Sequence, residues 1–481
     1  MPGRGARPAG PSGETGILLP SPDVRRDAYA RLAELLERHL EEIRDLRVAP
    51  RLGYEQLEDR VREFGFANPI PLDELLDSCA ALLREGVVHT SHPRYFGLFN
   101  PTPAFVGVLA DTLVAAFNPQ LAVTSHAPGA VAIERHVLSF LAGTLGLGGA
   151  TGSFTSGGAE ANLTGVLVAL ERHFPEVAED GLASLGDRPT MYVSTEAHHS
   201  FVKAARIAGL GHSAVRSIPV RTDLRLDVGA MRSRIERDRA AGERPFLVVA
   251  TAGSTAAGVI DPLPEVAHLC RELDVDLHVD AAWAGAIGLS PRLRPLLAGI
   301  EQADSVTVDA HKWLSAPMGA GVFLTRHAKD LTSTFRVTAD YMPSAEASDP
   351  YLASTQWSRR LIGLKVFMPL AAAGRAGYAA QIEHDCRLGD RLRERLRDEG
   401  WRIVNETPLP VVCFVPDDGE GGAIDRLVSI AGHVEASGGA WISVAQLGGR
   451  SALRACITSH RSTEADLDTL CELLAAARAE A

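Results

Sequence analysis

The chain of 481 residues contains only six cysteines, and no two of them form a Cys-x-x-Cys pair. Cys79, Cys270, Cys386, Cys413, Cys456 and Cys471 stand singly, which argues against a zinc knuckle or a disulfide framework and predicts reduced, mostly buried thiols. No apolar run approaches the roughly 20 residues that span a bilayer, so no membrane-crossing helix is expected. Positive charge is in deficit: 48 lysines and arginines face 60 aspartates and glutamates, for a formal net charge of −12. Contact with a nucleic-acid backbone needs a basic stripe, so nucleic acid is not an expected partner. The N-terminal stretch Met1 to Glu14 has arginines but no apolar segment behind them, and so does not read as a signal peptide. A disordered tail over residues 1–22 and a cytoplasmic location are the expectations.

What the chain does have is 46% apolar and 22% charged residues, the balance of a well-cored globular protein of two or three domains. Ala30, Leu32, Leu35, Leu36, Leu40 and Ile43 recur at helical spacing between Asp23 and Arg47, and a second amphipathic stretch covers Leu72–Leu83. Such helices could cap a core or clasp a partner subunit. Beyond Tyr95, short β-rich runs alternate with helical segments, the pattern of a parallel α/β sheet. The clearest strands are Thr190–Ser194, Phe246–Thr251, Leu277–Val279, Ser305–Val308 and Gly321–Leu324. Polar residues gather at their C-terminal ends, where open α/β sheets bind ligands. A long helical stretch from Ile362 to Gly400, followed by Val411–Val415 and Leu453–Ile457, predicts a smaller α+β domain. The expected boundaries are therefore a tail over 1–22, a helical segment over 23–95, a large domain over 96–361 and a small one over 362–481.

Four segments carry chemistry. Gly152-Ser-Phe-Thr-Ser-Gly-Gly-Ala-Glu-Ala-Asn-Leu163 runs into a helical pattern, and glycines at a helix start let backbone N–H groups approach a phosphate. It lacks the spacing of a nucleotide P-loop or a hydrolase nucleophile elbow. His198 follows a strand, where an imidazole could stack on a flat cofactor and move protons, or serve only as a hydrogen-bonded structural residue. No His-Glu-x-x-His motif or carboxylate completes a metal shell around His198 and His199, so no metal site is expected. Asp280 follows Leu277-His-Val279; it could cap a helix or hold a protonated ring nitrogen. Lys312 lies in Asp309-Ala-His-Lys-Trp313 at another strand end. An amine for a Schiff base, a carboxylate for a ring nitrogen and a phosphate cradle together are what pyridoxal phosphate requires.

In order along the chain, Thr155-Ser-Gly-Gly158, Ala197-His198, Thr251-Ala-Gly253, His278-Val-Asp280-Ala-Ala282 and Asp309-Ala-His-Lys-Trp313 resemble the group II pyridoxal-phosphate-dependent amino acid decarboxylases, which include the aromatic-L-amino-acid and glutamate decarboxylases. The resemblance extends from about Asp23 to the C-terminus and implies a fold type I architecture like that of aspartate aminotransferase. It makes Lys312 the lysine that holds the cofactor, Asp280 the ring-nitrogen partner and His198 the residue stacked on one ring face, with Ala282 on the other. Gly157, Gly158 and His311 would hold the phosphate, and Thr251 would lie beside the cofactor and Asp280. The stretch Phe335-Arg-Val-Thr-Ala-Asp-Tyr341 matches the family loop whose tyrosine returns a proton, so Tyr341 is the implied donor. A homodimer with shared active sites is implied as well.

For the substrate, the stretch His92-Pro-Arg-Tyr-Phe-Gly-Leu-Phe-Asn100 matches the family's pocket segment. Leu98 stands where glutamate-specific members place a glutamine, and it would leave a side-chain carboxylate unpaired, so an acidic substrate is disfavoured. Phe99 supplies an aromatic wall, and Ser358 matches a position that is serine in relatives acting on phenolic substrates. An aromatic or other hydrophobic L-amino acid is the expected substrate. The rivals are an aminotransferase that clamps the substrate with Arg454 or Arg461, an aldehyde synthase with phenylalanine in place of Tyr341, and a non-catalytic interaction protein that would have lost Lys312 or Asp280.

Overall fold

The computed structural model describes residues 18–337, 349–419 and 422–481. The chain divides into two compact units, one ending at His89 and one running from Thr90 to Ala481. The first holds the helices Pro22–Glu42, Tyr54–Arg62 and Leu72–Gly86. Ser21 caps the first of them by accepting from the Val24 N–H, and Arg31–Asp77 and Arg60–Glu85 pair at 2.7 and 2.6 Å. No residue of these three helices is buried, and Tyr29, Leu36, Tyr54, Val61 and Leu83 are exposed. The expected tail over 1–22 lies, as far as residue 17, outside the described residues.

In the second unit the strands are, in chain order, β1 (Gln120–Leu121), β2 (Thr151–Thr155), β3 (Pro189–Ser194), β4 (Val215–Ile218) and β5 (Arg244–Thr251). They continue as β6 (Asp276–Asp280), β7 (Ser305–Asp309), β8 (Gly321–Thr325) and β9 (Arg359–Arg360). After the long helix Leu364–Asp398 come β10 (Trp401–Ile403), β11 (Val411–Pro416), β12 (Ser443–Leu447) and β13 (Arg450–Cys456). The central sheet has the order β2-β8-β7-β6-β5-β3-β4. From β4 to β7 all pairings are parallel, and β8 runs antiparallel to both of its neighbours, β2 and β7. Val248, Val249, Leu277, Val279, Val306 and Val308 are all buried, as a sheet covered on both faces demands.

The helix Gly158–His173 packs on β7 and β8, while Leu263–Leu273 packs on β5 and β6. Because β5, β6 and β7 run the same way, Thr251, Asp280 and Asp309 end their strands at one edge of the sheet. At the other edge Asp276 pairs with Arg172 and His173 at 3.1 and 2.9 Å, an internally compensated charge network. The last four strands form an antiparallel sheet in the order β10-β11-β13-β12, which fits the expected smaller α+β region. The long helix spans nearly the whole predicted stretch, but Gly374 (φ 66°, ψ 171°) breaks it in two. Of the six free cysteines, all but Cys79 are buried, and burial raises the thiol pKa of Cys386 to about 12 and of Cys471 to about 11.

One buried ion pair ties β9 to the helix Pro128–Leu145. Glu134, on that helix, accepts from Arg359 Nη1 at 2.8 Å and from the backbone N–H groups of Ile362 and Gly363, each at 3.1 Å. Both side chains are only 4% exposed. Removing one member of such a pair strands the other charge in the interior. Glu134→Ala is therefore expected to lower unfolding free energy by about 3–5 kcal/mol, measured by urea denaturation. A loss below about 1 kcal/mol would mean that water relieves Arg359.

Candidate active site

The sheet edge where β5, β6 and β7 end forms the floor of a cavity of about 310 Å³. Gly157, Gly158, His198, Thr251, Asp280, Ala282, His311 and Lys312 all line it, so the structure gathers these sequence-selected residues in one place. Ser156, Glu160, Asn162, Trp283, Asp309 and Met318 line it too, and sequence reasoning gave none of them a role. A second cavity of about 290 Å³ is walled in part by Glu134 and Arg359 and has no lysine or histidine among the described residues of its lining. The chemistry therefore belongs to the first.

Each polar group in this cavity has a defined setting. Lys312 follows the end of β7, and its Nζ lies 3.0 Å from Asp309 Oδ2. Asp280 is 5% exposed; its Oδ1 accepts from the Ala282 N–H at 3.0 Å and its Oδ2 from Asn162 Nδ2 at 2.9 Å. His198 Nδ1 accepts from the Ser200 N–H at 3.2 Å, so in the neutral ring Nε2 carries the proton. Burial lowers the pKa of His198; the Lys312 and His199 charges add to this, and Asp280 and Asp309 oppose it. His311 Nδ1 accepts from the Ala320 N–H at 3.1 Å, and burial likewise holds this ring below the ordinary histidine range.

The glycine turn is held from the side. Glu160 accepts from the Ser156 N–H at 2.7 Å, from Thr355 Oγ1 at 2.7 Å and from Gln356 Nε2 at 3.1 Å. Burial works to raise the Glu160 pKa, but the hydrogen bonds from Ser156, Thr355 and Gln356 outweigh it and keep the carboxyl low. Behind the turn, a Cβ on Gly158 would sit 2.7 Å from Asp309 Oδ2, and one on Gly157 would sit 3.2 Å from the His311 ring. Only glycine leaves backbone N–H groups at this helix start open to an approaching anion.

Three further residues stand apart from the cavity wall. Leu98 is exposed, and Ser358 Oγ accepts from Gln120 Nε2 at 2.8 Å across the β1–β9 pair. Phe99 is buried one layer behind the wall, stacked on Trp283 with ring centroids 4.3 Å apart and planes 13° apart. Trp283 does line the cavity, and its Nε1 donates to the Gly253 carbonyl at 2.6 Å. Tyr341 lies outside the described residues.

The cavity fits pyridoxal phosphate by its own chemistry. It joins an amine, a carboxylate held by two donors, a glycine turn opening a helix and imidazoles carrying N–H groups. Two buried oxygens of its wall, Thr251 Oγ1 and Asp309 Oδ1, have no hydrogen-bond partner among the described residues, which is rare unless a ligand supplies one.

Comparison with known proteins agrees. Residues 62–416 match the family model described as the pyridoxal-dependent decarboxylase conserved domain. The chain is 28% identical to an aromatic-L-amino-acid decarboxylase of Bacillus atrophaeus, over 94% of both chains. It is 31% identical to an acidic amino acid decarboxylase of Mus musculus, over 71% of this chain and 63% of that one. Among solved structures, that of Oryza sativa TDC with PLP and tryptamine superimposes with a TM-score of 0.89 at 25% identity, covering 96% of this chain and 98% of the other. The chain belongs to the pyridoxal-dependent decarboxylase family and has its fold type I architecture. It is a pyridoxal-phosphate-dependent carboxy-lyase acting on an amino acid.

Proposed function

We propose that the protein converts an L-amino acid with an aromatic or other hydrophobic side chain to its amine and CO2. The gathering of Lys312, Asp280, His198 and the glycine turn in one cavity carries this reading. In it, Lys312 holds the cofactor through its amine, and Asp280 holds the ring nitrogen. His198 and Ala282 flank the ring, Thr251 lies beside Asp280, and Gly157, Gly158 and His311 take the phosphate. Bound there, pyridoxal phosphate supplies the electron sink for the electrons of the Cα–carboxylate bond. Asp280 keeps a proton on the ring nitrogen, because a carboxylate partner favours the charged form of that ring. The walls would orient the substrate carboxylate and exclude water. Tyr341 is proposed as the residue that would return a proton to the substrate carbon, His198 Nε2–H would be a second proton-bearing group of the cavity, and the Lys312 amine would serve in product release.

The substrate assignment draws support from the lining: among its described residues Lys312 is the one Lys or Arg, so an acidic side chain would find no second cation. Trp283, with Phe99 behind it, and Met318 offer apolar surface instead. Leu98 and Ser358 are kept as proposed determinants of side-chain choice. The aminotransferase rival loses Arg454, whose guanidinium donates to Thr255 O at 2.6 Å, Gly97 O at 2.9 Å and Ser443 Oγ at 3.0 Å. These bonds take three of its five N–H groups and turn the guanidinium toward the protein, and Arg454 is not among the described residues that line the cavity. The test is a panel of amino acids assayed in parallel for CO2, amine, aldehyde and 2-oxo acid. CO2 and amine in equal amounts from aromatic or aliphatic substrates is the expected result, whereas 2-oxo acid without CO2 would overturn the assignment. Tyr341→Phe should divert product from amine toward aldehyde and ammonia with dioxygen as the oxidant, or slow amine release by about 10²-fold or more.

A cytoplasmic homodimer is part of the same proposal. Phe105, Leu109, Leu113 and Phe117 recur every fourth residue along the helix Phe105–Phe117, and all four are exposed. A continuous apolar stripe of this kind marks a protein contact surface. The exposed apolar residues of the N-terminal helices are proposed to clasp the partner subunit in the same way. Leu109→Glu is expected to shift the sedimenting species from dimer to monomer while far-UV circular dichroism stays the same. An unshifted dimer would remove the stripe from the interface.

A further inference from the structure

Asp280 stands on a buried polar chain that the reaction as described does not use. Asn162, 1% exposed on the helix Gly158–His173, donates from Nδ2 to Asp280 Oδ2 and to Ser200 Oγ, both at 2.9 Å. Its Oδ1 lies 3.1 Å from His278 Nε2. His278 sits on the same strand as Asp280, two residues earlier and therefore on the same face, and is fully buried. Its Nδ1 is 2.8 Å from Ser305 Oγ, and Thr307 Oγ1 lies 3.2 Å from Nε2. The ring is housed under the helix only because residue 165 is glycine: a Cβ there would lie 2.8 Å from His278 Nδ1. Phe201 closes the remaining side, edge-on at 5.7 Å.

Hydrogen-bond logic fixes the His278 and Asn162 protons in this chain. Burial drives the His278 pKa down to about 4, so the ring is neutral and has a single N–H. If that proton sat on Nδ1, the Nε2 lone pair would face Asn162 Oδ1 even with the Thr307 hydroxyl donating to it, so Asn162 would have to turn its amide nitrogen toward the ring, and Oδ1 would then face the Asp280 carboxylate. Two acceptors cannot share that contact without a large loss. With the proton on Nε2, Asn162 Oδ1 accepts from His278, Nδ2 is directed at Asp280, and the Ser305 hydroxyl donates to Nδ1. This is the arrangement in which no lone pair faces another.

We infer that His278, held in its Nε2–H form by Ser305, locks the Asn162 amide so that it donates to Asp280, making Asn162 and His278 positioning residues for cofactor binding. The inference rests on Asp280 being the ring-nitrogen partner. Its role is orientation: with Ala282 N–H on one carboxylate oxygen and Asn162 on the other, Asp280 is held from rotating away from the ring nitrogen.

The decisive measurement is the His278 tautomer in the native holoenzyme, labelled with 15N-histidine, with the His278 resonances identified by their absence from His278→Gln. A protonated Nε2 and bare Nδ1 between about pH 6 and pH 8 is expected, and an Nδ1–H ring or an imidazolium overturns the inference. The second readout is the dissociation constant for pyridoxal phosphate, titrated by its visible absorbance. His278→Leu fills the space without a donor and should weaken binding at least about tenfold, as should Asn162→Leu, whereas His278→Gln, which returns an N–H toward Asn162, should stay within about threefold. Equal loss in the Leu and Gln variants, or loss in neither, overturns the lock. Asp280→Asn separates the two readings. Native affinity in that variant overturns the Asp280 assignment itself, whereas weakened binding there with unchanged binding in His278→Leu overturns the lock alone.

Discussion

Lys312→Ala should yield a colourless protein that neither shows the visible band of the holoenzyme nor releases CO2, with a fall in kcat of at least about a thousandfold. The magnitude follows from the two tasks of one amine, holding the cofactor covalently and displacing the product, since loss of a residue that acts in both half-reactions removes nearly all of the rate. The structure adds a complication with a remedy. Lys312 is the ion-pair partner of the buried Asp309, so the alanine variant also leaves a carboxylate without its cation, and cofactor-free protein should melt at lower temperature than native. Lys312→Arg retains the charge and loses the imine chemistry. A colourless, inactive Lys312→Arg protein with nearly native melting would assign the defect to chemistry, while a yellow and active one would remove Lys312 from the mechanism.

Asp280→Ala is expected to reduce kcat by about 10²–10³-fold, the usual effect of deleting one preorganised charge-stabilising group. The cofactor should still attach, because Lys312 and the glycine turn remain, so the protein should be yellow yet slow. The visible band should also respond to pH differently, because the ring nitrogen would lose its proton more easily without a carboxylate beside it. Replacing Asp280 also leaves Asn162 Nδ2 with Ser200 alone as its acceptor, which gives the variant a second, smaller penalty in stability. Spectra and turnover indistinguishable from native would show that Asp280 does not govern the ring nitrogen.

Much of this site was legible in the sequence because its parts fall at the ends of strands whose apolar runs are easy to read. β5, β6 and β7 announce themselves through Phe246–Thr251, Leu277–Val279 and Ser305–Val308, and Thr251, Asp280 and Lys312 follow from their ends. β2 is legible only as part of the glycine turn, because Thr151-Gly-Ser-Phe-Thr155 has a single large apolar residue to signal a strand. The short helix Tyr54–Arg62 was missed for a like reason, having Leu57 and Val61 as its periodic apolar pair. Asp309 and Asn162 went unassigned because nothing local marks them. Asn162 is a polar residue inside a helix, and only the register of helix against sheet brings it to Asp280. Spatial neighbours separated by a whole strand–helix–strand passage leave no trace in a periodicity. The pocket segment illustrates the converse: Leu98 and Phe99 are adjacent in sequence, yet one is exposed and the other lies stacked under Trp283.

The antiparallel return of β8 also sets an order of assembly. Among the described residues β2, which leads directly into the glycine turn, hydrogen-bonds within the sheet only to β8, and β8 is the last of the seven strands to be synthesised. Until residues 321–325 emerge from the ribosome, the strand that carries Thr155 has no partner to lie against, although β3 to β7 can already pair among themselves. The phosphate end of the site is thus the last part to be fixed, after the strands bearing Thr251 and Asp280 are in register. A chain cut short before β8 would hold the ring-nitrogen half of the site and have no anchored cradle for the phosphate, so cofactor capture belongs to the late, long-range stage of folding.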